Sequence, residues 1–318
     1  MKIDVIKNRT LYLSLSAAVI TIGLVGMVLC WRTYGMPFRP SVDFTGGTRL
    51  ALSLVCQNPP QACGDPIPLD QVRAQLAAQN YEKLTVQLAE AGRGILVQTG
   101  DLAPPDRQKL EQFLTSILKP YGEIDANRTQ IDRVGPLISQ ELLRGGLLAL
   151  AFSLLGIVLY LSVRFQPDYA IFATTALLHD ILVVSGVFAW LGLTLGVEVD
   201  SLFIVALLTI AGYSVNDTVI IYDRIRENLK QAENYQNFDE LVNFSVNQTL
   251  TRSINTTLTT ALPLLSVLLF GGVTLKFFAL ALLIGFLAGT YSSIFNASIL
   301  LAWWRSRINT VASGVGLK

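Results

Sequence analysis

Two polar residues, Asn216 and Asp217, stand inside a run apolar enough to cross a bilayer, 201–228, SLFIVALLTIAGYSVNDTVIIYDRIREN. A carboxylate at the centre of a span costs roughly 2.5–3.5 kcal/mol on insertion scales, so a compensating role is expected. Such a carboxylate can bind and release a proton, the balance being set by burial and by neighbouring charges. Thr209, Tyr213 and Asp217 recur at i, i+4 and i+8 and lay a polar stripe along one helix face. That suits proton carriage. The competing reading is a carboxylate that only hydrogen-bonds neighbouring helices together.

A cationic partner is at hand in Arg252, at the start of the next apolar run. The stretch 248–260, QTLTRSINTTLTT, is crowded with hydroxyls, Thr259 among them. Such groups line a wet path or bind helices to each other. Arg252 taken alone reads as well as a basic anchor that snorkels to the interface. His179 and Asp180 fall near the middle of a third run, 169–192. Histidine titrates near neutrality, so the pair can relay protons; the alternative is interhelical bonding.

Other chemistries find no footing. Three cysteines and one histidine cannot be expected to build a multi-ligand zinc site. No Ser-His-Asp set or nucleotide loop is present, so neither an enzyme nor a cofactor or metal site is expected. The fragment Asp43, Phe44, Thr45, Gly46, Gly47, Thr48 predicts a tight turn at its adjacent glycines. It lacks the lysine and spacing of a phosphate loop. Cys56 and Cys63 flank QNPPQA and are a candidate disulfide. Cys30 reads as a small apolar residue.

The elements that must position these residues follow from composition. Hydrophobic residues make up 52% of the 318-residue chain and charged residues 15%, which indicates an integral membrane protein with one soluble insert. The net charge of +1 gives no reason to expect a nucleic-acid partner. The first apolar run, 11–31, follows Lys2, Lys7 and Arg9 and lacks an A-x-A cleavage site, so it reads as a retained anchor. Residues 32–140 are soluble in character. Strands are expected at 48–55, 83–88, 95–99 and within 123–134, with helices opened by Pro68 and by Pro104-Pro105. The order β-α-β-β-α-β is that of a ferredoxin-like unit.

Five more runs, 142–163, 169–192, 200–222, 254–272 and 277–304, bring the expected spans to six. The organisation is thus 1–31 with the first span, 32–140 as the insert, 141–304 with the remaining spans, and 305–318 as a tail. A cytoplasmic loop is expected at 224–252, either a polar linker or a partly amphipathic helix along the interface. Lys2, Lys7, Arg9, Arg164, Arg224, Arg226, Lys230, Arg252, Arg305, Arg307 and Lys318 fall on one face, against Lys276 on the other. The positive-inside rule then puts both termini in the cytoplasm and 32–140 outside. In the sixth span Gly285, Gly289 and Ser293 recur every four residues, a face for close helix packing.

The run 212–228, GYSVNDTVIIYDRIREN, closely resembles the fourth-span signature of the SecF family, membrane subunits of bacterial protein export within the resistance-nodulation-division superfamily. DFTGGT at 43–48, His179-Asp180, 248–260 and Phe270-Gly271-Gly272 look like their counterparts there, so the resemblance covers nearly the whole chain. Two features depart from it: Ser41-Val42 precede DFTGGT where Gly-Ile or similar is expected, and the Cys56–Cys63 loop is not a family feature. The resemblance implies the bacterial inner (plasma) membrane and a SecD-like partner with a larger exterior domain. It also implies the SecY-E-G channel with its small subunits, an unfolded exported polypeptide, surrounding lipid, and protons as the coupling ion. It makes Asp217 and Arg252 proton-pathway residues; Asn216, Tyr213, Thr259, His179 and Asp180 complete the candidate set.

The expected molecule is a polytopic α-helical membrane protein with six transmembrane helices plus an α+β ferredoxin-like (βαββαβ) extracytoplasmic domain. Its expected work, with a SecD-like partner, is coupling the proton-motive force to late steps of protein export. A small-molecule or lipid exporter of the same superfamily would need a substrate-sized exterior cleft, usually built from two domains where this chain offers one. A non-transporting scaffold of the translocon is the other rival.

Overall fold

The structure is a computed structural model that describes residues 3–55, 67–79, 84–89, 94–100, 102–125, 129–230, 235 and 237–315. Cys56 and Cys63 lie outside the described residues. The chain divides into two compact units, Met1–Arg39 with Leu147–Lys318, and Pro40–Gly146.

Helix α1 (Arg9–Tyr34) opens the first unit and closes on Gly35 at φ 73°, whose N–H returns to the Trp31 carbonyl at 2.9 Å. Ahead of it runs a short strap. The Ile3 N–H donates to Asn247 Oδ1 at 2.8 Å, Asn247 Nδ2 donates back to the Ile3 carbonyl at 2.7 Å, and the Val5 N–H donates to Asn243 Oδ1 at 2.9 Å. Two asparagines one helical turn apart thus take the place of a partner strand, and Val5 is wholly buried.

The second unit begins with a single turn, α2 (Val42–Thr45), capped by Ser41, whose side chain accepts the Asp43 N–H at 3.2 Å. This gives the departure at Ser41-Val42 a local reason: serine is a good N-cap, and Val42 is buried behind it. Gly46 at φ 73° and Gly47 at φ 132° then swing the chain into β1 (Gly47–Val55). A Cβ on Gly47 would strike the Thr99 carbonyl oxygen, so only glycine fits. There follow α3 (Leu69–Ala78), β2 (Thr85–Ala89), β3 (Gly94–Thr99), α4 (Pro104–Leu118), β4 (Glu123–Ile124) and β5 (Gln130–Val134).

All pairings in this sheet are antiparallel, in the order β2-β3-β1-β4, with β5 also on β1. The single strand expected within 123–134 is two short ones. β4 pairs the far end of β1 (Leu54↔Ile124) and β5 the near end (Gly47↔Val134). Leu50, Leu52 and Leu54, at period two, form a core with Val72 and Leu76 of α3 and Leu110, Leu114 and Leu118 of α4.

Helices α5 (Pro136–Arg164), α6 (Pro167–Thr194) and α7 (Ser201–Leu229) return the chain to the first unit. α8 is one continuous helix of 33 residues, Phe238–Phe270. The loop expected at 224–252 is therefore largely helical. α7 runs on to Leu229, and α8 starts at Phe238 under the cap of Asn237, whose Oδ1 accepts the Glu240 N–H at 2.8 Å. The stretch is polar in places, yet Leu241, Val242, Val246 and Leu250 keep one buried face in step with the span beyond. The last span joins α9 (Val273–Tyr291), a six-residue π segment (Ser292–Ala297) and α10 (Ser298–Val315). Among the described residues six helices are thus long and apolar enough to cross a membrane.

The small-residue face of α9 packs on α7. A Cβ on Gly285 would overlap Ile210, and one on Gly289 would stand 3.1 Å from the Ser214 Cβ. Gly289→Leu is expected to destabilise by about 1–3 kcal/mol through overpacking, read as a lower melting temperature in detergent. Gly156→Ala, whose Cβ meets nothing within 4 Å, should not lower it. Equal melting of both variants with the wild type would contradict this packing.

Candidate functional site

The buried face of α7 carries two polar stations. On one, Asp217 is 7% exposed and its Oδ1 accepts the Ser253 Oγ–H of α8 at 2.6 Å. Its Oδ2 is buried with no hydrogen-bond partner among the described residues. The Ser253 carbonyl accepts from Thr257 Oγ1 at 2.9 Å. Thr257 Oγ1 lies 3.2 Å from the Tyr213 hydroxyl and 2.5 Å from Thr290 Oγ1 of α9. Tyr213 also reaches Thr260 Oγ1 at 3.4 Å and stacks on Phe286 with ring centroids 4.1 Å apart. A hydroxyl cluster of Thr257, Tyr213, Thr260 and Thr290 thus lies along the seam of α7, α8 and α9, joined to Ser253 through its backbone carbonyl.

The second station centres on Asp180 of α6, which is 0% exposed. Its Oδ1 lies 2.9 Å from His179 Nδ1, and its Oδ2 accepts from Ser214 Oγ of α7 at 2.5 Å and from Ser292 Oγ at 2.8 Å. Beside it Thr218 Oγ1 meets Ser293 Oγ at 2.7 Å, and the His179 ring stacks on Tyr291 at 6.2 Å. Ser292 and Ser293 belong to the π segment, whose widened turn presents consecutive hydroxyls, one to Asp180 of α6 and the next to Thr218 of α7. Such bulges recur where a helix must aim side chains that a regular α-turn would misplace.

Of the residues expected at the site, the structure gathers Asp217 and Tyr213 in one network and His179 and Asp180 in the other. Arg252 is exposed and forms no ion pair with Asp217 among the described residues. Ser253, the next residue, holds the carboxylate in its place. Asn216 is exposed, and among the described residues no hydrogen bond engages its side chain. Thr259 is exposed and donates to the Asn255 and Thr256 carbonyls of its own helix at 2.9 and 3.0 Å. The reason is angular: one residue is about 100° of rotation and two are about 200°, so Asn216 leaves the face of Asp217 and Thr259 that of Thr257. Thr209 is likewise exposed and donates to the Val205 carbonyl at 2.8 Å, which ends the expected stripe at Tyr213. Ser214, Thr290 and Ser292 were not foreseen. The signal for Ser214 was its four-residue spacing from Thr218.

In the other unit Asp43, Phe44 and Thr45 make the turn α2, with Phe44 buried and Thr45 Oγ1 donating to the Ser41 carbonyl at 3.0 Å. Gly46 and Gly47 supply the positive φ, and Thr48 starts β1. This is a structural corner. Among the described residues no three His, Cys, Asp or Glu side chains gather where they could hold a metal.

Residues 113–307 match the family described as protein export membrane protein SecD/SecF, C-terminal. The chain is 47% identical to the protein translocase subunit SecF of Synechocystis sp., over 96% of this chain and 95% of that one. It is 37% identical to the protein translocase subunit SecDF of Thermus thermophilus, over 85% of this chain but only 35% of the relative. A crystal structure of SecDF from Thermus thermophilus, described as a translocon-associated membrane protein, superposes with a TM-score of 0.79 at 32% identity. That match covers 96% of this chain and 39% of the other, so the chain corresponds to about two fifths of that protein.

Proposed function

The chain belongs to the SecD/SecF family of protein-export membrane proteins, and from that premise we propose that Asp217 carries the coupling proton of a subunit that harnesses the proton-motive force for late steps of export. The observation behind this is the half-satisfied carboxylate, with Oδ1 held by Ser253 and Oδ2 buried without a partner among the described residues. A structural carboxylate is paired at both oxygens; one left open can exchange a proton. The hydroxyls of Thr257, Tyr213 and Thr290 form a cluster on the same helix seam, joined to Ser253 through its backbone carbonyl. Arg252 and Ser253 are neighbours on α8, so a rotation of about 100° exchanges one for the other opposite Asp217. Alternation between a neutral and a cationic partner gives the site two states that differ in charge.

The energy scale is sufficient, since one charge crossing 100 mV carries roughly 2.3 kcal/mol, enough to bias a two-state movement more than tenfold. The moving part in this reading is the Pro40–Gly146 unit. Its strand order, with a helix before β2 and another before β4, supports a ferredoxin-like module. The asymmetry of lysine and arginine along the chain supports an extracytoplasmic position for that unit and cytoplasmic termini. A SecD-like partner fits the face of α5 where Leu148, Phe152, Leu155 and Leu159 stand exposed in one stripe. The relatives named SecDF supply the precedent for two such halves together. The SecY-E-G channel and the exported polypeptide are the remaining partners.

The test is reconstitution of the channel in vesicles with this chain and its SecD-like partner. Export should accelerate several-fold when a proton gradient is imposed, and only when both proteins are present. A gradient effect of the same size without the chain would refute the reading.

A further inference from the structure

Residues 35–39 run from the end of α1 to Pro40, the first residue of the second unit. Gly35 leaves α1 at φ 73°, and a Cβ there would meet nothing within 4 Å, so little packs against this point of exit. Phe38 and Arg39 are fastened instead to the start of α7. The Arg39 carbonyl accepts the Val199 N–H at 2.8 Å. Arg39 Nε stands 3.5 Å from Glu198 Oε1, with the two side chains 18% and 7% exposed. The Phe38 ring packs on that of Phe203 at 5.7 Å, and Phe203 packs on Phe188 of α6 at 4.8 Å. A Cβ on Gly192 would stand 3.2 Å from the Arg39 Cβ, so this segment lies directly against the end of α6. The Arg39 guanidinium carbon also lies 5.7 Å from the Tyr34 ring centroid, a softer tie back to α1.

The receiving end is well braced. Val197 and Val199 are buried, the Val197 N–H returns to the Leu191 carbonyl at 3.2 Å, and Gly196 takes the φ of 70° that the turn requires. Asp200 caps α7, its Oδ1 accepting the Phe203 N–H at 3.3 Å. From Phe203 to Asp217 the helix is unbroken, a rod of about 21 Å at 1.5 Å per residue.

We propose that Phe38 and Arg39 are the link by which α7 positions the Pro40–Gly146 unit, handing on a displacement at Asp217 through its own first turn. The proposal rests on the reading of Asp217 as proton carrier and adds the residues that transmit its effect. A packed helix passes movement along its length, whereas a free tether would absorb it. Separating a largely buried ion pair leaves each charge uncompensated, so the Arg39–Glu198 contact resists being pulled apart. Phe38, Arg39 and Glu198 act through α7 and are therefore positioning residues.

The test inserts Gly-Ser-Gly between Arg39 and Pro40, which leaves every one of these contacts in place and adds up to about 10 Å of free chain. In vesicles with the channel and the SecD-like partner, the insertion should remove most of the gradient-dependent acceleration of export without lowering the melting temperature. Arg39→Glu and Glu198→Arg should each weaken the acceleration, and the two together should restore it. A second readout needs no gradient. Spin labels are placed at Gln112 of α4 and at Leu195, both exposed, in a chain whose three cysteines are replaced by alanine. Their distance distribution should broaden in the insertion variant and in Glu198→Arg, and narrow again in the charge-swapped pair. An unchanged distribution in the insertion variant overturns the link, as does full retention of the acceleration. A broadened distribution in a protein whose wild type shows no gradient effect leaves the link standing and refutes the proton coupling instead.

Discussion

Asp217→Asn is expected to abolish the gradient-dependent part of export while leaving the chain inserted and folded. The geometry separates the two outcomes. Asparagine has the shape of aspartate, and its Oδ1 can still accept the Ser253 hydroxyl now 2.6 Å from the carboxylate. Its Nδ2 occupies the place of an oxygen that has no partner among the described residues to lose. Packing against α8 is preserved, so stability should change by no more than about 1 kcal/mol, the worth of an ordinary hydrogen bond. What disappears is the exchangeable proton. With one charge per 100 mV worth roughly 2.3 kcal/mol, the acceleration at stake is at most about 50-fold per charge. The measurement is the ratio of export rates without and with a proton ionophore, in vesicles carrying equal amounts of wild type or variant. The ratio should fall to about one in the variant, and a ratio equal to wild type would falsify the role of Asp217.

Much of this site was legible because burying charge in a bilayer is costly and rarely accidental. Asp217, His179 and Asp180 stood out for that reason, and Gly285, Gly289 and Ser293 for their four-residue spacing. The limits of the reading were angular and concerned single residues. Arg252 and Ser253 are adjacent in sequence but about 100° apart around α8, and composition cannot say which of them faces α7. Ser292 meets Asp180 through a π segment whose register no α-periodicity foretells. The continuity of α8 was hidden for a different reason. Gln248, Thr249, Thr251 and Arg252 lower the local hydropathy where the apolar run seems to begin, yet nothing there interrupts a backbone. The helix passes through Pro263 and ends only at Gly271. In the insert, alternation at Leu50, Leu52 and Leu54 gave the core face of β1 directly, whereas the break between β4 and β5 left no mark in the residue pattern.

The other buried carboxylate should respond in the opposite way. Asp180 is wholly enclosed, and both of its oxygens are engaged, by His179, Ser214 and Ser292. Asp180→Ala takes away the acceptor these donors share in the centre of a helix bundle, leaving Ser292 only the Gly289 carbonyl at 3.2 Å among the described residues. Interhelical hydrogen bonds in membranes contribute roughly 0.6–2 kcal/mol each, so losing the two from Ser214 and Ser292 removes about 1–4 kcal/mol. That is a large part of the 5–15 kcal/mol or so that holds a typical fold together. The variant is therefore expected to melt well below wild type in detergent and to accumulate at a reduced level. The fraction that folds should still show a gradient-dependent export ratio above one. Asp180→Asn, which keeps one acceptor oxygen, should fall between. The pair of carboxylates thus yields two opposed signatures: loss of coupling with normal stability at Asp217, and loss of stability with coupling retained at Asp180. If Asp180→Asn instead melted like wild type and reduced the export ratio to one, the coupling proton would belong to the His179–Asp180 pair. Asp217 would then be a structural tie between α7 and α8.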